Sequence, residues 1–221
     1  LHGIMGQGRN WMTAARQLVK RQPDHKVLLI DLRGHGANNA TIAGPHTVAA
    51  AARDVAATVA HACGPDAPTP SEPTALLADG TAPLVLGHSF GGKVGLAYAA
   101  ARAEPPIRTW LFDSNPTLTT GAGGVGDVLA ILEDAARDQV YSTKKAAVEA
   151  LVARGLEPAT AQWLAMTTAQ GEGGVRFSYD LDAVRALYDD HCQTDRLPEA
   201  RALDDADRLG LVLAGKADVV P

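Results

Sequence analysis

The sequence predicts an α/β architecture, a mostly parallel sheet with helices around it, and three observations carry that prediction. The apolar Leu84-Val85-Leu86 runs into Gly87-His88-Ser89-Phe90-Gly91-Gly92 and then into Lys93-Val94-Gly95-Leu96-Ala97-Tyr98-Ala99-Ala100, which reads as strand, sharp turn, helix. Lys26 to Ile30 is a second short apolar run suited to a strand buried in a parallel sheet. Ile107 to Asp113 and Leu209 to Leu213 read as further strands, with helical stretches between them.

The elements follow in order. Residues 1–10 open as a loop, and Asn10 can cap a helix over about residues 11–21. Thr47 can cap the next helix, Val48 to Ala62, where Val48, Ala52, Val55, Val59 and Ala62 fall at helical spacing and should face the sheet. Residues 64–83 hold Pro65, Pro68, Pro70, Pro73 and Pro83 among Gly, Ser, Asp and Thr, so a long surface loop is expected there. Beyond Asp113, helical stretches at Val125 to Asp138, Thr143 to Arg154, Pro158 to Gln170 and Leu181 to His191 interrupt the alternation, and an insertion between two strands reads as a lid. The chain thus divides into a core (1–115), a helical lid (116–205) and a return to the core sheet (206–221).

At 221 residues and 46% hydrophobic content the chain can bury one substantial core. A net charge of −5 without a basic cluster argues against nucleic acid or an anionic membrane as the main partner, and no apolar run is long enough to span a bilayer. Cys63 and Cys192 lie far apart and read as free thiols, which fits an intracellular compartment, cytoplasmic or organellar. No paired-ligand spacing points to a metal, and no cofactor is expected. Gly121 to Gly126 fits G-x-G-x-x-G, but Asn115 to Thr120 separates it from the preceding strand, so a hinge at the base of the lid is the better reading than a dinucleotide site. Nothing in the sequence decides the oligomeric state.

Three motifs occur in order: His2-Gly3 ahead of a helix, Asp31-Leu32-Arg33-Gly34-His35-Gly36 at the end of an apolar run, and Gly87-His88-Ser89-Phe90-Gly91-Gly92-Lys93. Together they resemble the α/β-hydrolase superfamily. Gly8-Arg9-Asn10-Trp11 and Lys93 resemble the esterases of the abhydrolase-domain-11 type. Ala161-Gln162-Trp163-Leu164 and Phe177-Ser178-Tyr179-Asp180-Leu181-Asp182 are similar to the helical lid of plant and algal members of that group. The resemblance covers nearly the whole chain, most strongly residues 1–115. It implies an α/β-hydrolase core with a helical lid, acting on a small-molecule ester or thioester through an acyl-enzyme.

In its strand-turn-helix context, G-x-S-x-G reads as a nucleophile elbow that aims Ser89 out of the top of the sheet; a side chain two residues either side would collide with the neighbouring strand or helix. A serine hydroxyl needs a base, a carboxylate to orient the base, and donors for the oxyanion. The resemblance implies the backbone N–H groups of Phe90 and Ile4 as those donors. For the acid, Asp113 and Asp218 both stand at the C-terminal ends of strands. Asp113 is preferred because the esterases resembled often carry their acid one strand early; Asp182 in the lid comes third.

The base is the missing piece, since this fold places its histidine after the last strand and none follows His191. His2 belongs to the oxyanion loop and His35 to a turn, His88 should point away from Ser89, and His25, His46 and His61 flank outer helices. That leaves His191, in the lid. The simplest expectation is a core cut at both ends, with the histidine outside these residues and little ester hydrolysis by the isolated chain. Trp163, Leu164, Met166 and Phe177 can line an apolar pocket for short to medium acyl chains, ordinary lid packing being the plainer alternative. Two other functions fit the same residues: a hydrolase-fold module that binds without turnover, and acyl transfer to an acceptor other than water.

Overall fold

The computed structural model describes residues 1–38, 42–62, 83–102, 107–120, 124–137 and 139–215. Asp218, Cys63, Gly121 to Gly123 and all of the expected 64–83 loop except Pro83 lie outside the described residues.

Helix α1 (Met12–Arg21) follows a 3-10 turn at Gly8–Trp11. Asn10 does not cap it: it sits inside that turn, where its Oδ1 accepts from the Gln7 N–H at 2.6 Å. Thr47 does cap α2 (Val48–Ala62), its Oγ1 accepting from the Ala50 N–H at 3.1 Å. The apolar stripe of α2 packs chiefly on another helix, α3 (Phe90–Ala100), rather than on the sheet as expected.

Strands β1 (Val85–His88), β2 (Thr109–Phe112) and β5 (Leu209–Val212) form a parallel sheet in the order β1-β2-β5. On the edge of β1 away from β2, the Leu1 amino group donates to Leu86 C=O at 2.5 Å and the His88 N–H donates to Leu1 C=O at 3.1 Å. The run Lys26 to Ile30 is not a strand. Side chains hold its end instead of a ladder: the Leu32 N–H donates to His2 Nε2 and the Gly8 N–H to Asp31 Oδ1. A strand needs a neighbour long enough to pair with, and Leu28, 47% exposed, has no apolar layer over it.

Between β2 and β5 the chain builds α4 (Val125–Ala136), α5 (Lys144–Ala153), α6 (Pro158–Leu164), a hairpin of β3 (Thr168–Gly171) and β4 (Gly174–Phe177), α7 (Leu181–Gln193) and α8 (Leu197–Asp205). The helix expected over Pro158 to Gln170 therefore stops at Leu164, passes through a 3-10 turn at Ala165–Thr167 and becomes β3. Glu172-Gly173 closes the hairpin, with Gly173 at φ +79° and Gly174 at φ +144°, conformations that glycine enters without steric cost. Leu129, Leu132, Leu164, Val184 and Leu187 share one buried cluster with Ile4, Phe90 and Val94, so the helical insertion and the sheet-bearing part have a common core. Helix α8 packs over α3 and β5, with Ala200 against Leu96 and Leu111.

Candidate active site

The turn after β1 is set by close backbone approach. A Cβ on Gly87 would lie 2.4 Å from Gly91 C=O, and one on Gly91 2.5 Å from His2 C=O. Both glycines are sterically required, Gly87 by the helix that follows the turn and Gly91 by the extended segment at Leu1 and His2. Ser89, between them, adopts φ +49°, ψ −119°, a conformation costly for a residue with a Cβ. Its N–H donates to Phe112 C=O at 3.1 Å and its C=O accepts from Ser114 Oγ at 2.7 Å, so both backbone groups are pinned to the chain following β2.

Asp113 reaches the same end of the sheet because His88 and Phe112 are register partners, which makes Ser89 and Asp113 the next residues on adjacent parallel strands. Asp113 also has positive φ, +48°; its N–H donates to Val212 C=O at 2.8 Å and its Oδ1 accepts from the Ala214 N–H at 3.3 Å. Ser89 and Asp113 thus come together, whereas Asp182 is exposed in the first turn of α7.

Beside Ser89 opens a cavity of about 660 Å³, within the range of small-molecule sites. Its lining includes Gly3 to Gly6 and Trp11, Val125 and Val128 of α4, and Thr160 and Trp163 of α6. Trp163 therefore lines the space next to Ser89. Leu164 is fully buried in the core, Met166 is 45% exposed, and Phe177 stands edge-on to Tyr141 at 5.9 Å, outside this lining. His88 is also among the residues that line the cavity. Burial lowers its pKa while the charge of Asp113 acts in the opposite sense.

Phe90 directly follows the serine, and Ile4 lines the same cavity. As the first residue of α3, Phe90 has an N–H with no intrahelical acceptor, and Ile4 is buried in the cavity wall. The loop carrying Ile4 is held by two buried histidines whose positioning role the sequence did not reveal. His2 accepts the Leu32 N–H on Nε2 and pairs through Nδ1 with Gly3 C=O; His35 accepts the Met5 N–H on Nε2 and pairs through Nδ1 with Arg33 C=O. In each ring one nitrogen must be the acceptor, so both are neutral. Burial enforces this, pushing His2 well below the usual histidine value and His35 down to about 4. His191 packs against Phe90 and Tyr188, not in the cavity lining, and burial, followed by the charge of Lys93, lowers it to about 4. His25 and His61 are exposed and His46 half-buried. No described histidine hydrogen-bonds Ser89 Oγ.

Lys93, one turn into α3, is fully buried, and its Nζ donates to Thr117, His191 and Thr194 C=O at 2.6, 2.7 and 2.8 Å. All three ammonium protons are used, and they tie the helix behind Ser89 to the C-terminal end of α7 and to the loop after β2. Burial lowers its pKa to about 8.

Among the described residues, no helix is long and apolar enough to cross a membrane, and no cluster of three or more His, Cys, Asp or Glu side chains could hold a metal ion.

Known proteins resemble this chain in sequence and in fold. The sn-1-specific diacylglycerol lipase ABHD11 of Danio rerio is 31% identical over 120 residues, 54% of this chain and 32% of that protein, so the chain spans about a third of that relative's length. A marine microorganism esterase superposes with a TM-score of 0.71 at 18% identity, over 98% of this chain and 85% of its own. E-2-(acetamidomethylene)succinate hydrolase gives 0.61 at 18% identity, over 98% and 81%. Likeness at that level of identity speaks for the fold. The sequence profile of the alpha/beta hydrolase family matches residues 1–221, the whole chain, and it is to this family that the chain belongs.

Proposed function

We propose that this chain forms the core of a serine-dependent carboxylic-ester hydrolase for small substrates with short to medium acyl groups. The observation that carries the reading is the strained Ser89 in the lining of the cavity, with Asp113 at the adjacent strand end. Ser89 Oγ attacks the acyl carbon, the Phe90 and Ile4 N–H groups receive the developing oxyanion, and water releases the acyl-enzyme. Asp113 is the acid that orients the base; Asp218, outside the described residues, is its alternative. Val125, Val128 and Trp163 give the acyl group an apolar wall. The name of the relative that is 31% identical over 120 residues, a diacylglycerol lipase, supports ester chemistry.

All seven histidines are placed and none hydrogen-bonds Ser89 Oγ, so the base in this reading is an imidazole that these residues do not supply. The same observation favours a second reading, a hydrolase-fold module that holds a ligand without turning it over. A fluorophosphonate probe, read by intact mass with and without added imidazole beside a Ser89→Ala control, separates them. The proposal expects one adduct, absent from Ser89→Ala and formed several-fold faster with imidazole. An adduct that persists in Ser89→Ala, or none under either condition, refutes it; the latter outcome is the one the binding-module reading expects.

A further inference from the structure

The hairpin in the helical insertion reaches back to the loop that carries Ile4. Ser178 N–H donates to Thr167 C=O at 3.0 Å, which sets Thr167 and Tyr179 side by side at the open end of the β3–β4 pair. From there a one-directional relay of hydrogen bonds runs into the loop. Gln7 Nε2 donates to Thr167 Oγ1 at 3.2 Å, Thr167 Oγ1 donates to Tyr179 Oη at 2.8 Å, and Tyr179 Oη donates to Met5 C=O at 3.1 Å. Each hydroxyl accepts one proton and gives one, so its single hydrogen is committed and the direction is fixed. Close by, Arg9 Nη2 donates to Met166 C=O at 2.7 Å, a second strap between the same two segments.

Met5 needs this restraint. It holds φ +61°, costly for a residue with a Cβ, and it directly follows Ile4. His35 grips its N–H and Tyr179 its C=O, so the peptide planes on both sides of Met5 are fixed by side chains from distant segments. An oxyanion donor must meet the oxygen where charge develops, so its value depends on how well it is held there. We infer that Tyr179, through Met5 C=O and with Thr167 and Gln7 behind it, is a positioning residue that holds the Ile4 N–H in place, making the hairpin a working part of the site. This inference rests on the serine-hydrolase reading. In the sequence Tyr179 stands only within Phe177-Ser178-Tyr179-Asp180-Leu181-Asp182, a lid resemblance that assigns it no role.

The test uses Tyr179→Phe, which keeps the ring, and Thr167→Val, which keeps the shape. Two readouts are taken: hydrogen exchange at the Met5 and Gly6 amides, which donate to His35 Nε2 and Gly3 C=O, and the rate and saturation constant of Ser89 phosphonylation with imidazole present. Both variants should exchange these two amides about tenfold faster with α3 unchanged, and label Ser89 about tenfold more slowly with the saturation constant within about twofold, the scale of one lost hydrogen bond. A variant that only loses global stability would speed exchange in α3 as well, and that result overturns the inference. So does unchanged exchange, or faster exchange with an unchanged labelling rate. If the unaltered chain takes no label on Ser89, the hydrolase reading fails while the exchange data still decide whether Tyr179 restrains the loop.

Discussion

Replacing Lys93 by methionine keeps the stem of the side chain and removes an ammonium whose three protons all go to carbonyls. Thr117, His191 and Thr194 C=O would be left facing an apolar methyl group, and each buried acceptor without a partner costs about 1–3 kcal/mol. Against this stands the strain of burying the charge. A pKa lowered from 10.5 to about 8 corresponds to about 3 kcal/mol, which methionine does not incur. The net expectation is a loss of about 3 kcal/mol at pH 7, or about 6–12 °C in melting temperature for a domain of this size. The difference also has a pH signature. From pH 8 to 10.5 the unfolded chain still carries the Lys93 proton while the folded chain has released it, so the wild type gains stability as pH rises through this window and the variant does not. Urea unfolding of both proteins from pH 7 to 10 measures the gap between them. A gap that stays constant over that range, or a variant as stable as the wild type at pH 7, would refute the account of Lys93 as a charged tether.

Acid should destabilise the fold through its buried histidines. His35 and His191 titrate near 4 when folded and near 6.5 when unfolded, so between those values only the unfolded chain takes up protons. Stability should fall by roughly 1.4 kcal/mol per pH unit per imidazole below pH 6.5 and level off near pH 4, with His2 acting in the same sense; a flat urea midpoint from pH 7 to 4.5 contradicts this. Gly91→Ala should prevent stable folding, because its Cβ would meet two backbone carbonyl oxygens, those of His2 and Leu1, at 2.5 and 2.8 Å. Gly171→Ala, with open space around it, should melt within a few degrees of the wild type by circular dichroism, and equal losses in the two variants would show that crowding at Gly91 is not the cause.

The parts of this fold legible in the sequence are those in which a local pattern and its structural consequence lie within a few residues of each other. The strand-turn-helix around Ser89, the Thr47 cap and the ends of β2 and β5 are of that kind. Lys26 to Ile30 has the composition of a strand, but pairing depends on a neighbour that composition does not report. The β3–β4 hairpin is recoverable, since Glu172-Gly173 ahead of the alternating Val175 and Phe177 is a two-residue turn signal that the helical reading of Pro158 to Gln170 obscures. Helix α8 followed too closely on α7 to stand out, with a proline in its first turn as its start signal. In the candidate site, Ser89, Asp113 and Trp163 are legible as residue types at strand ends or in the insertion. The bonds from Met5 to His35 and Tyr179 span 30 and 174 residues, and no spacing rule records them.

Of the four non-glycine residues with positive φ among the described residues, three bear on the site: Met5, Ser89 and Asp113. Each conformation costs on the order of 1–3 kcal/mol and persists only where the surroundings over-determine it. The surroundings do so in the same way each time, by taking hold of the strained residue at two polar atoms. Met5 gives its N–H to His35 and its C=O to Tyr179; Ser89 gives its N–H to Phe112 C=O and its C=O to Ser114 Oγ; Asp113 gives its N–H to Val212 C=O and its carboxylate to the Ala214 N–H. The clamps come from the Arg33–His35 turn, the hairpin, β2 and β5, so the strained turns are fixed relative to one another and not merely within themselves. Glycine at position 92 completes the arrangement, because a Cβ there would lie 2.2 Å from Ser114 Oγ and push the clamp off Ser89. The third glycine of the Ser89 turn thus makes room for the group that grips Ser89 from β2's side, and the strain at Ser89 is sustained by the same strand end that delivers Asp113.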